Sequence, residues 1–336
     1  MKTRRIGRDG PDVSALGVGA MSFSDFYGPT DEATSHAILE AAMEHGVSHI
    51  DTSNVYGSGT SERVIGSFLA ARGSEAREFF HIATKAGIAA GAGGGSGERR
   101  IDNSKAYLAA ELEASLKRLG VDCVDLFYVH RREAERPIEE VTESLVELVR
   151  AGKTRAFGFS EIAPSSLRRA ASVHPLAAVQ SEYSLSTRAP ELGLVQACAE
   201  LGTTLVAFSP VGRGLLTDRP PTEAAVERVP FLEANPRFQE PNFSANIAAT
   251  DGFRRLAAEM GHPAAALAIA WLLSRGDHVL PIPGTRSVGH FEELVLGVQI
   301  PLSPEDLRRI EEALPVGWAH GDRYNVSQWV GPERYC

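Results

Sequence analysis

Short apolar segments alternate with amphipathic segments along almost the whole chain, and this alternation is the feature that most limits the possible folds. Most of the apolar segments are β-branched or fully apolar, as expected for strands buried on both faces of a sheet. Eight segments are predicted as strands: Ala15–Ala20, Val47–Ile50, Phe79–Ala83, Val124–Val129, Arg155–Phe159, Ala177–Gln180, Thr203–Phe208 and Val279–Ile282.

Segments with helical periodicity lie between these strands. They are Glu32–His45, Ser61–Ala71, Lys105–Leu119, Ile138–Arg150, Ser165–Ser172, Glu191–Leu201 and Phe291–Gly297. Several are followed by a glycine, such as Gly120 or Gly202, which commonly ends a helix. Eight strands with interleaved helices predict an α/β fold of the parallel (β/α)8 TIM barrel type, and an open doubly wound sheet is the alternative. A single barrel domain would span residues 1–336, with a tail at about 315–336.

Two stretches do not fit the simple repeat. Gly87–Gly97 is rich in glycine and is predicted to form a loop after the third strand. Gly212–Ser244 is a long proline-containing insertion after the seventh strand, and extra helices are predicted near Gly252–Met260 and Pro263–Arg275. Because both stretches follow strands, we expect them on the C-terminal face of the barrel, where barrel enzymes carry their active sites.

Charge and cysteine content exclude several classes of function. The net charge of −9 argues against nucleic acid or an anionic membrane as a partner, because both select basic surfaces. Cys123, Cys198 and Cys336 lie far apart, so neither a disulfide framework nor a metal site is predicted. The first residues lack the apolar core of a signal peptide, and the longest apolar run, Ala264–Leu273, is about half of what a membrane span needs. We expect a cytoplasmic protein.

Four polar side chains fall where predicted strands end. Asp51 closes the second strand, Tyr56 follows in the next loop, Lys85 closes the third strand and His130 closes the fourth. Each alone could be structural, for example a cap, a core residue or a solvated strand end. Together they occupy three consecutive strand ends on the rim where barrel active sites lie. A lysine buried among apolar strands also needs a partner, and Asp51 is the nearest candidate.

The chemistry of these four groups is that of proton transfer to an oxygen atom. A tyrosine hydroxyl, with an ordinary pKa of about 10, is a weak acid at neutral pH, and a neighbouring ammonium would lower that pKa. Asp51 would keep Lys85 charged and in place, while His130 could orient the substrate oxygen. Such a set suits adding a proton to a carbonyl oxygen while a cofactor delivers a hydride to the carbon.

Longer motifs surround these residues: Asp51–Gly57 (DTSNVYG), Ser115–Asp122 (SLKRLGVD), Val129–Arg131 (VHR), Ala207–Gly214 (AFSPVGRG) and Ile282–Arg286 (IPGTR). With them the chain resembles the aldo-keto reductase superfamily from Val13 to about Leu314, and most closely its longer bacterial and plant branch, which includes pyridoxal-reductase-like proteins and potassium-channel β subunits. The resemblance implies a (β/α)8 barrel with an N-terminal β-hairpin across the bottom. It also places the family's catalytic tetrad on Asp51, Tyr56, Lys85 and His130.

The resemblance further implies NADPH as the cofactor, with NADH as the alternative. It places Ser160, Glu161 and Gln180 near the nicotinamide carboxamide and Phe208 against the nicotinamide ring. The remaining residues that it assigns to the cofactor are Ser209, Val211, Gly212 and Arg213 at the pyrophosphate, and Gly284, Thr285, Arg286, His290 and Glu293 at the adenosine end. The adenosine 2′-phosphate site would adjoin the start of a helix, where free N–H groups attract phosphate.

Four residues depart from the family pattern. Glu161 stands where many members have Asn, and Phe208 replaces a more usual Tyr. His290 stands where an Arg often assists the 2′-phosphate, and Leu294 where an Asn usually contacts adenine. From the last two we predict a modest preference for NADPH over NADH.

The predicted function is the NADPH-dependent reduction of small-molecule aldehydes and ketones, with Tyr56 as the general acid. Met21, Tyr27 and Trp318 are the candidate substrate contacts, in a pocket suited to aryl or medium aliphatic carbonyl compounds. One alternative is a cofactor-binding regulatory or scaffold subunit with slow turnover. Another is the same site working as an alcohol dehydrogenase. The tail beyond Pro315, which contains Trp318, Tyr324 and Trp329, could cover the C-terminal face of the barrel or form a subunit contact, so a homo-oligomer is left open.

Overall fold

The computed structural model describes residues 1–89 and 100–334. Its strands are β1 (Thr3–Arg5), β2 (Asp12–Ser14), β3 (Gly17–Gly19), β4 (His49–Asp51), β5 (His81–Ala86), β6 (Val124–Val129), β7 (Thr154–Ser160), β8 (Ala178–Glu182), β9 (Thr204–Phe208) and β10 (Val279–Pro281). Its α-helices are α1 (Glu32–Glu44), α2 (Thr60–Arg72), α3 (Ser74–Phe79), α4 (Lys105–Leu119), α5 (Ile138–Arg150), α6 (Pro164–Val173), α7 (Leu194–Leu201), α8 (Glu223–Val226), α9 (Pro230–Glu233), α10 (Asn242–Glu259), α11 (Ala264–Leu273), α12 (Val288–Leu296) and α13 (Pro304–Ala313).

Within the described residues, the eight strands β3 to β10 form one parallel sheet in chain order. The sheet curves until its ends meet, where the Gly19 amide donates to the Pro283 carbonyl at 2.8 Å. β1 and β2 pair as an antiparallel hairpin, and the Gly7 amide in its turn donates to Thr204 Oγ1 at 2.8 Å, at the start of β9. The predicted barrel is therefore confirmed, and its hairpin lies at the end where the strands begin.

Apolar residues fill the barrel and the layer between the strands and the helices. Inside the barrel, a small cluster includes Leu126, Tyr128, Val206 and Leu280. A much larger cluster lies outside the strands and includes almost all of α11. Because the strands bury both faces, their central residues are mostly apolar, and polar side chains lie mainly near the strand ends.

The structure differs from the predicted elements at three places. Phe79 ends α3 instead of beginning a strand, since the Phe80 amide bonds back to the Ala76 carbonyl in a last helical turn. The insertion after β9 contains the short helices α8 and α9, and α10 begins at Asn242, well before the predicted helix. α13 has no counterpart among the predicted helices. Of the stretch Gly87–Gly97, residues 90–97 lie outside the described residues.

The longest helix in residues 1–89 and 100–334 is α10, with 18 residues. No single helix there combines the length and apolarity needed to cross a membrane. By length and composition alone, α10 and α11 together would be long and apolar enough to cross a membrane, but they are bent by 89° to each other.

Candidate active site

The ends of β4, β5 and β6 bring the four predicted tetrad residues together. The Lys85 ammonium donates to Asp51 Oδ1 and, at 2.8 Å, to the Thr52 carbonyl. It also lies 3.4 Å from the Tyr56 hydroxyl oxygen and 5.1 Å from the centre of its ring. The Tyr56 and His130 rings stand edge to face with their centres 5.7 Å apart.

Two supporting interactions fix the ends of this group. Gln180, on β8, donates through Nε2 to Asp51 Oδ2 at 2.7 Å, so both oxygens of the buried carboxylate are engaged. His130 Nδ1 lies 3.0 Å from Ser53 Oγ. Both partners come from other strand ends or their loops, and they hold side chains whose rotation would otherwise disperse the group.

A tight turn returns Tyr56 toward the barrel. Gly57 has a φ of +57°, and a Cβ there would lie 2.7 Å from the Cβ of Ser24. Only glycine satisfies both the left-handed backbone and this close approach. The turn therefore depends on the glycine that follows the tyrosine.

Burial governs the titration of the site. It lowers the pKa of Lys85 and raises that of Asp51, while the attraction between the two charges opposes both shifts. Burial also raises the pKa of Tyr56, and Asp51 raises it further, whereas Arg131 lowers it. The direction is opposite to the one expected from the sequence, because burial is the largest influence on the phenol and the Asp51 carboxylate acts in the same direction. Tyr56 is a neutral phenol at neutral pH.

A cavity of about 1180 Å³ opens above this group. A smaller one of about 620 Å³ shares Ser22, Tyr27, Gly284, Thr285 and His290 with it, so the two are continuous from the tetrad to the start of α12. The residues predicted from the sequence that line the larger cavity are Met21, Tyr27, Asp51, Tyr56, His130, Gln180, Phe208, Ser209, Val211, Arg213, Gly284, Thr285, His290 and Glu293; Arg286 lines the smaller one.

Five predicted residues lie outside the lining of either cavity. Lys85 is fully buried beneath Tyr56, and Gly212 is buried in its loop. Ser160 Oγ accepts from Arg131 at 3.1 Å. The Glu161 carboxylate accepts from the Glu182 amide at 2.9 Å and pairs with Arg323. Trp318 packs in the core, where its Nε1 donates to the Leu185 carbonyl at 2.8 Å, so it does not reach the cavity.

Sequence reasoning left open whether the C-terminal tail covers this face, and it did not identify the residues that form one wall of the larger cavity. This wall comes from the C-terminal tail, through Tyr324, Asn325, Ser327 and Gln328, and from Arg131. The tail is held over the barrel by the Glu333 carboxylate, which accepts from the Ala163 amide at 2.8 Å and pairs with Arg132. The aromatic residues of the tail were the available signal, but no periodicity indicated which of them faces the cavity.

Buried ion pairs surround Glu182 beside this wall. Arg213 binds its carboxylate at 2.5 Å, Arg237 at 3.3 Å, and Arg323 approaches to 3.7 Å. Burial alone would raise the pKa of Glu182, but Arg213, Arg323 and Arg237 outweigh burial and lower it to about 2. Burial likewise opposes Arg323 and Arg131 at Glu161, whose pKa is also lowered.

The loop after β9 is strained where it borders the cavity. Ser209 and Arg213 have φ angles of 51° and 55°, which non-glycine residues rarely adopt. Gly212 and Gly214 also have positive φ. Such backbone strain concentrates at ligand-binding loops, where the surrounding structure enforces it.

The far end of the cavity has the composition of a phosphate site. Arg286 is exposed, donates to the Pro29 carbonyl at 3.0 Å, and has no acidic partner within 4 Å among the residues that the structure describes. Gly28 makes room for it, since a Cβ there would lie 2.8 Å from Arg286 Nη1. The same cavity borders the first turn of α12, whose N–H groups attract anions. In the described part of the chain, no three His, Cys, Asp or Glu side chains converge as a metal site.

Known proteins resemble this chain over most of its length. The aldo/keto reductase family matches residues 15–315. The chain is 38% identical over 325 residues to aldo-keto reductase yakc [NADP(+)] of Schizosaccharomyces pombe, covering 96% of this chain and 94% of that protein. It is also 38% identical over 324 residues to probable aldo-keto reductase 1 of Glycine max, covering 95% and 91%.

Solved structures share the fold over nearly the full length. The glycerol dehydrogenase AKR11B4 from Gluconobacter oxydans superposes with a TM-score of 0.81 at 28% identity, over 96% of this chain and 98% of that one. The holo form of aldo-keto reductase AKR11C1 from Bacillus halodurans gives a TM-score of 0.77 at 27% identity, over 98% and 99%.

Proposed function

The chain belongs to the aldo/keto reductase family and is an oxidoreductase, and we propose that it uses NADPH to reduce aldehydes and ketones to alcohols. The observation that carries this proposal is the position of the Lys85 ammonium, which Asp51 holds 3.4 Å from the hydroxyl of Tyr56. Tyr56 lines the large cavity, and Lys85 lies directly beneath it. Proton transfer at an oxygen atom is the chemistry that this arrangement supports.

Tyr56 acts as the general acid in this proposal. Because burial keeps its pKa high, the phenol holds its proton until a carbonyl oxygen becomes more basic during reduction. As the proton leaves, Lys85 stabilises the phenolate, and a proton from solvent later restores the phenol. When bound, NADPH supplies the hydride that the carbonyl carbon accepts.

His130 orients the substrate oxygen. Its ring stands beside that of Tyr56 on the cavity wall. When the Ser53 hydroxyl donates to Nδ1, the proton of a neutral imidazole resides on Nε2, which can then donate to the substrate oxygen. Tyr56 and His130 would then donate hydrogen bonds to the same substrate oxygen from two directions.

The continuous cavity fits an extended dinucleotide. We propose that Gln180 borders the nicotinamide end, with Phe208 against the ring. Ser160 and Glu161 lie behind this part of the wall, bound to Arg131 and Arg323. In the same proposal, the loop at Ser209, Val211, Gly212 and Arg213 receives the pyrophosphate, and Gly284, Thr285, Arg286, His290 and Glu293 receive the adenosine end. Arg286, a guanidinium without an acidic partner in the described ranges, supplies charge for a 2′-phosphate, so a modest preference for NADPH over NADH is expected.

A second candidate is the same site working as an alcohol dehydrogenase. It is favoured by the structural similarity to a glycerol dehydrogenase. In that direction Tyr56 would act as the base, which requires its phenolate. The same tyrosine serves both directions, so the ratio of reduced to oxidised cofactor sets the net direction. The raised pKa of Tyr56 adds that alcohol oxidation, which needs the phenolate, becomes faster at higher pH.

The test is NADPH consumption by the purified protein with a panel of aldehydes and ketones, beside the Tyr56→Phe variant. Turnover that disappears in the variant would support the reductase. Faster oxidation of the matching alcohols with NADP⁺ at neutral pH would favour the dehydrogenase. Tight NADPH binding without turnover of any substrate would favour a regulatory subunit.

We also propose a partner, an oligomeric state to be tested and a location. A small carbonyl compound is the expected partner, with neither nucleic acid nor membrane, and a homo-oligomer can be tested by light scattering. A reducing cytoplasm is the expected location, since Cys123 and Cys198 are both free thiols.

A further inference from the structure

The tail wall of the large cavity presents a hydroxyl group with an unusual neighbour. Arg131 Nη2 donates to the Tyr324 hydroxyl oxygen at 3.2 Å, and both residues line the cavity that contains Tyr56 and His130. Both are more than nine-tenths buried. Because the oxygen accepts from a guanidinium, the hydroxyl proton must point elsewhere, and no acceptor for it is found among residues 1–89 and 100–334.

This hydroxyl is held rigidly. The Tyr324 ring lies under the Arg323 guanidinium at 4.6 Å and within 5.6 Å of that of Arg213. On its other side Trp329 packs edge to face at 5.6 Å. Arg131 is fixed in turn by the His130 carbonyl at 2.7 Å. A donor that is already positioned costs little entropy when it binds an acceptor.

The charge behind the wall is unbalanced. Arg213 belongs to the loop assigned to the pyrophosphate. Without it, this buried group still contains three guanidinium groups and two carboxylates among the described residues: Arg131, Arg237, Arg323, Glu161 and Glu182. Asp322, which also acts on Arg237, is exposed. Buried charge without a counter-charge is costly, so an anion in the adjoining cavity would be attracted. Asp25, Asp218 and Glu293 also line the cavity. The two aspartates are exposed and are therefore screened by water and salt, Glu293 lies on α12 at the opposite end, and Asp51 is paired with Lys85.

The wall stands at the reacting end of the cavity. Arg131 directly follows His130 in the chain, and the His130 ring lies beside that of Tyr56. The smaller cavity with Arg286 lies at the opposite end, at the start of α12. An anion recognised by Tyr324 and Arg131 therefore belongs with the substrate carbonyl group rather than with a phosphate at the Arg286 end.

We propose that Tyr324 and Arg131 bind a carboxylate on the substrate, so that the enzyme prefers aldehydes bearing an acidic group over neutral aldehydes of similar size. This inference rests on the proposed carbonyl reduction. Tyr324 donates its hydroxyl proton to the carboxylate, Arg131 polarises that hydroxyl, and the surplus positive charge of the wall attracts the anion.

The test compares kcat/KM at pH 7 for two matched pairs. The pairs are 4-carboxybenzaldehyde with methyl 4-formylbenzoate, and succinic semialdehyde with methyl 4-oxobutanoate. We expect the acid to be preferred about 10-fold or more in at least one pair, and Tyr324→Phe to lower that ratio about 10-fold. Arg131→Lys should retain more of the preference than Arg131→Gln. Tyr183→Phe is the matched control, since it removes a buried hydroxyl that binds Glu191 instead.

Equal rates within both pairs, or a preference that Tyr324→Phe leaves intact, would overturn the inference while the carbonyl reduction stood. A loss of NADPH affinity in Tyr324→Phe without a change in the ratio would assign the anion site to the cofactor. Binding of the product alcohols to the NADPH-saturated enzyme, a complex that cannot react, gives a readout without turnover. If no aldehyde is reduced but 4-(hydroxymethyl)benzoate still binds more tightly than its methyl ester, only the proposed function fails; equal binding refutes the inference too.

Discussion

Lys85 Nζ lies 3.4 Å from the hydroxyl oxygen of Tyr56, within a fully buried ion pair with Asp51. The ammonium is thus positioned to stabilise a phenolate at this one hydroxyl, while Asp51 offsets its field in the resting state. This arrangement separates the resting phenol, which keeps its proton, from the transient phenolate, which is stabilised. The first two predictions follow from it.

Tyr56→Phe should lose most of the turnover and keep cofactor binding. Removing a general acid costs about 10²–10⁴ in rate, and phenylalanine preserves the packing of the ring against His130. The measurement is kcat for aldehyde reduction, with the NADPH dissociation constant determined by fluorescence titration as the control. Full activity in the variant would require a different acid, and His130→Gln would be the next variant to assay.

Lys85→Met should shift alcohol oxidation to higher pH and destabilise the fold. Without the ammonium, only Arg131 opposes the effect of the buried Asp51 carboxylate on the pKa of Tyr56, so the phenolate needed for oxidation forms only at higher pH. An unpaired buried charge also costs about 3–5 kcal/mol of unfolding free energy. Urea denaturation and the pH profile of kcat measure the two effects.

The double variant Asp51→Asn with Lys85→Met is the matched control for that prediction. It removes both charges, so it should recover much of the lost stability while remaining inactive. A double variant that is no more stable than Lys85→Met alone would show that the ion pair is not the source of the loss.

Arg286→Gln should weaken NADPH binding about 10-fold and leave NADH binding nearly unchanged. The side chain is exposed and borders the smaller cavity, so its charge is available to a 2′-phosphate that only NADPH carries. His290→Arg should have the opposite effect on the ratio of the two dissociation constants, because a second guanidinium would face the same phosphate. Parallel losses for both cofactors would place the phosphate elsewhere.

Glu182 should contribute acid-sensitive stability. Its pKa falls from 4.5 in the unfolded chain to about 2 in the fold. The stabilisation is therefore complete above about pH 4.5 and is lost as the pH falls toward 2, a total of roughly 3 kcal/mol. Glu182→Gln should flatten this part of the stability profile, measured by urea denaturation at several pH values. Glu259→Gln, at an exposed ion pair with Arg309, should leave the profile unchanged.

Much of the barrel could be predicted from the sequence. β6, α4 and α5 have the predicted end residues, because long apolar runs and helical periodicity are bounded there by clear end signals. α13 was missed even though Ser303 and Asp306 form a capping box at its start, since only Ile310 among its residues is buried and the apolar pattern is weak. α3 was missed because it has only six residues and ends at Phe79, which together with Phe80 resembles the start of an apolar strand.

Some residues of the site could likewise be predicted from the sequence, and others could not. Asp51, Lys85 and His130 could be predicted because each closes a strand, and parallel strands bring their ends to one rim. The tail wall could not, because its position depends on pairs distant in the chain, such as Arg323 with Glu161. Such contacts leave no periodic pattern in the sequence, so Tyr324 and Arg131 become visible only in three dimensions.

The origin of the cavity wall has a consequence for how this enzyme could diversify. The reacting groups lie at strand ends and in the loops that directly follow them, whereas Tyr324 to Gln328 belong to a segment without regular structure. Substitutions in residues 324–328 can therefore reshape the pocket while the tetrad keeps its geometry. A mutant library confined to these five positions would sample new substrate specificities with an unchanged catalytic centre. The same independence would let natural relatives change their substrates while keeping the same catalytic residues.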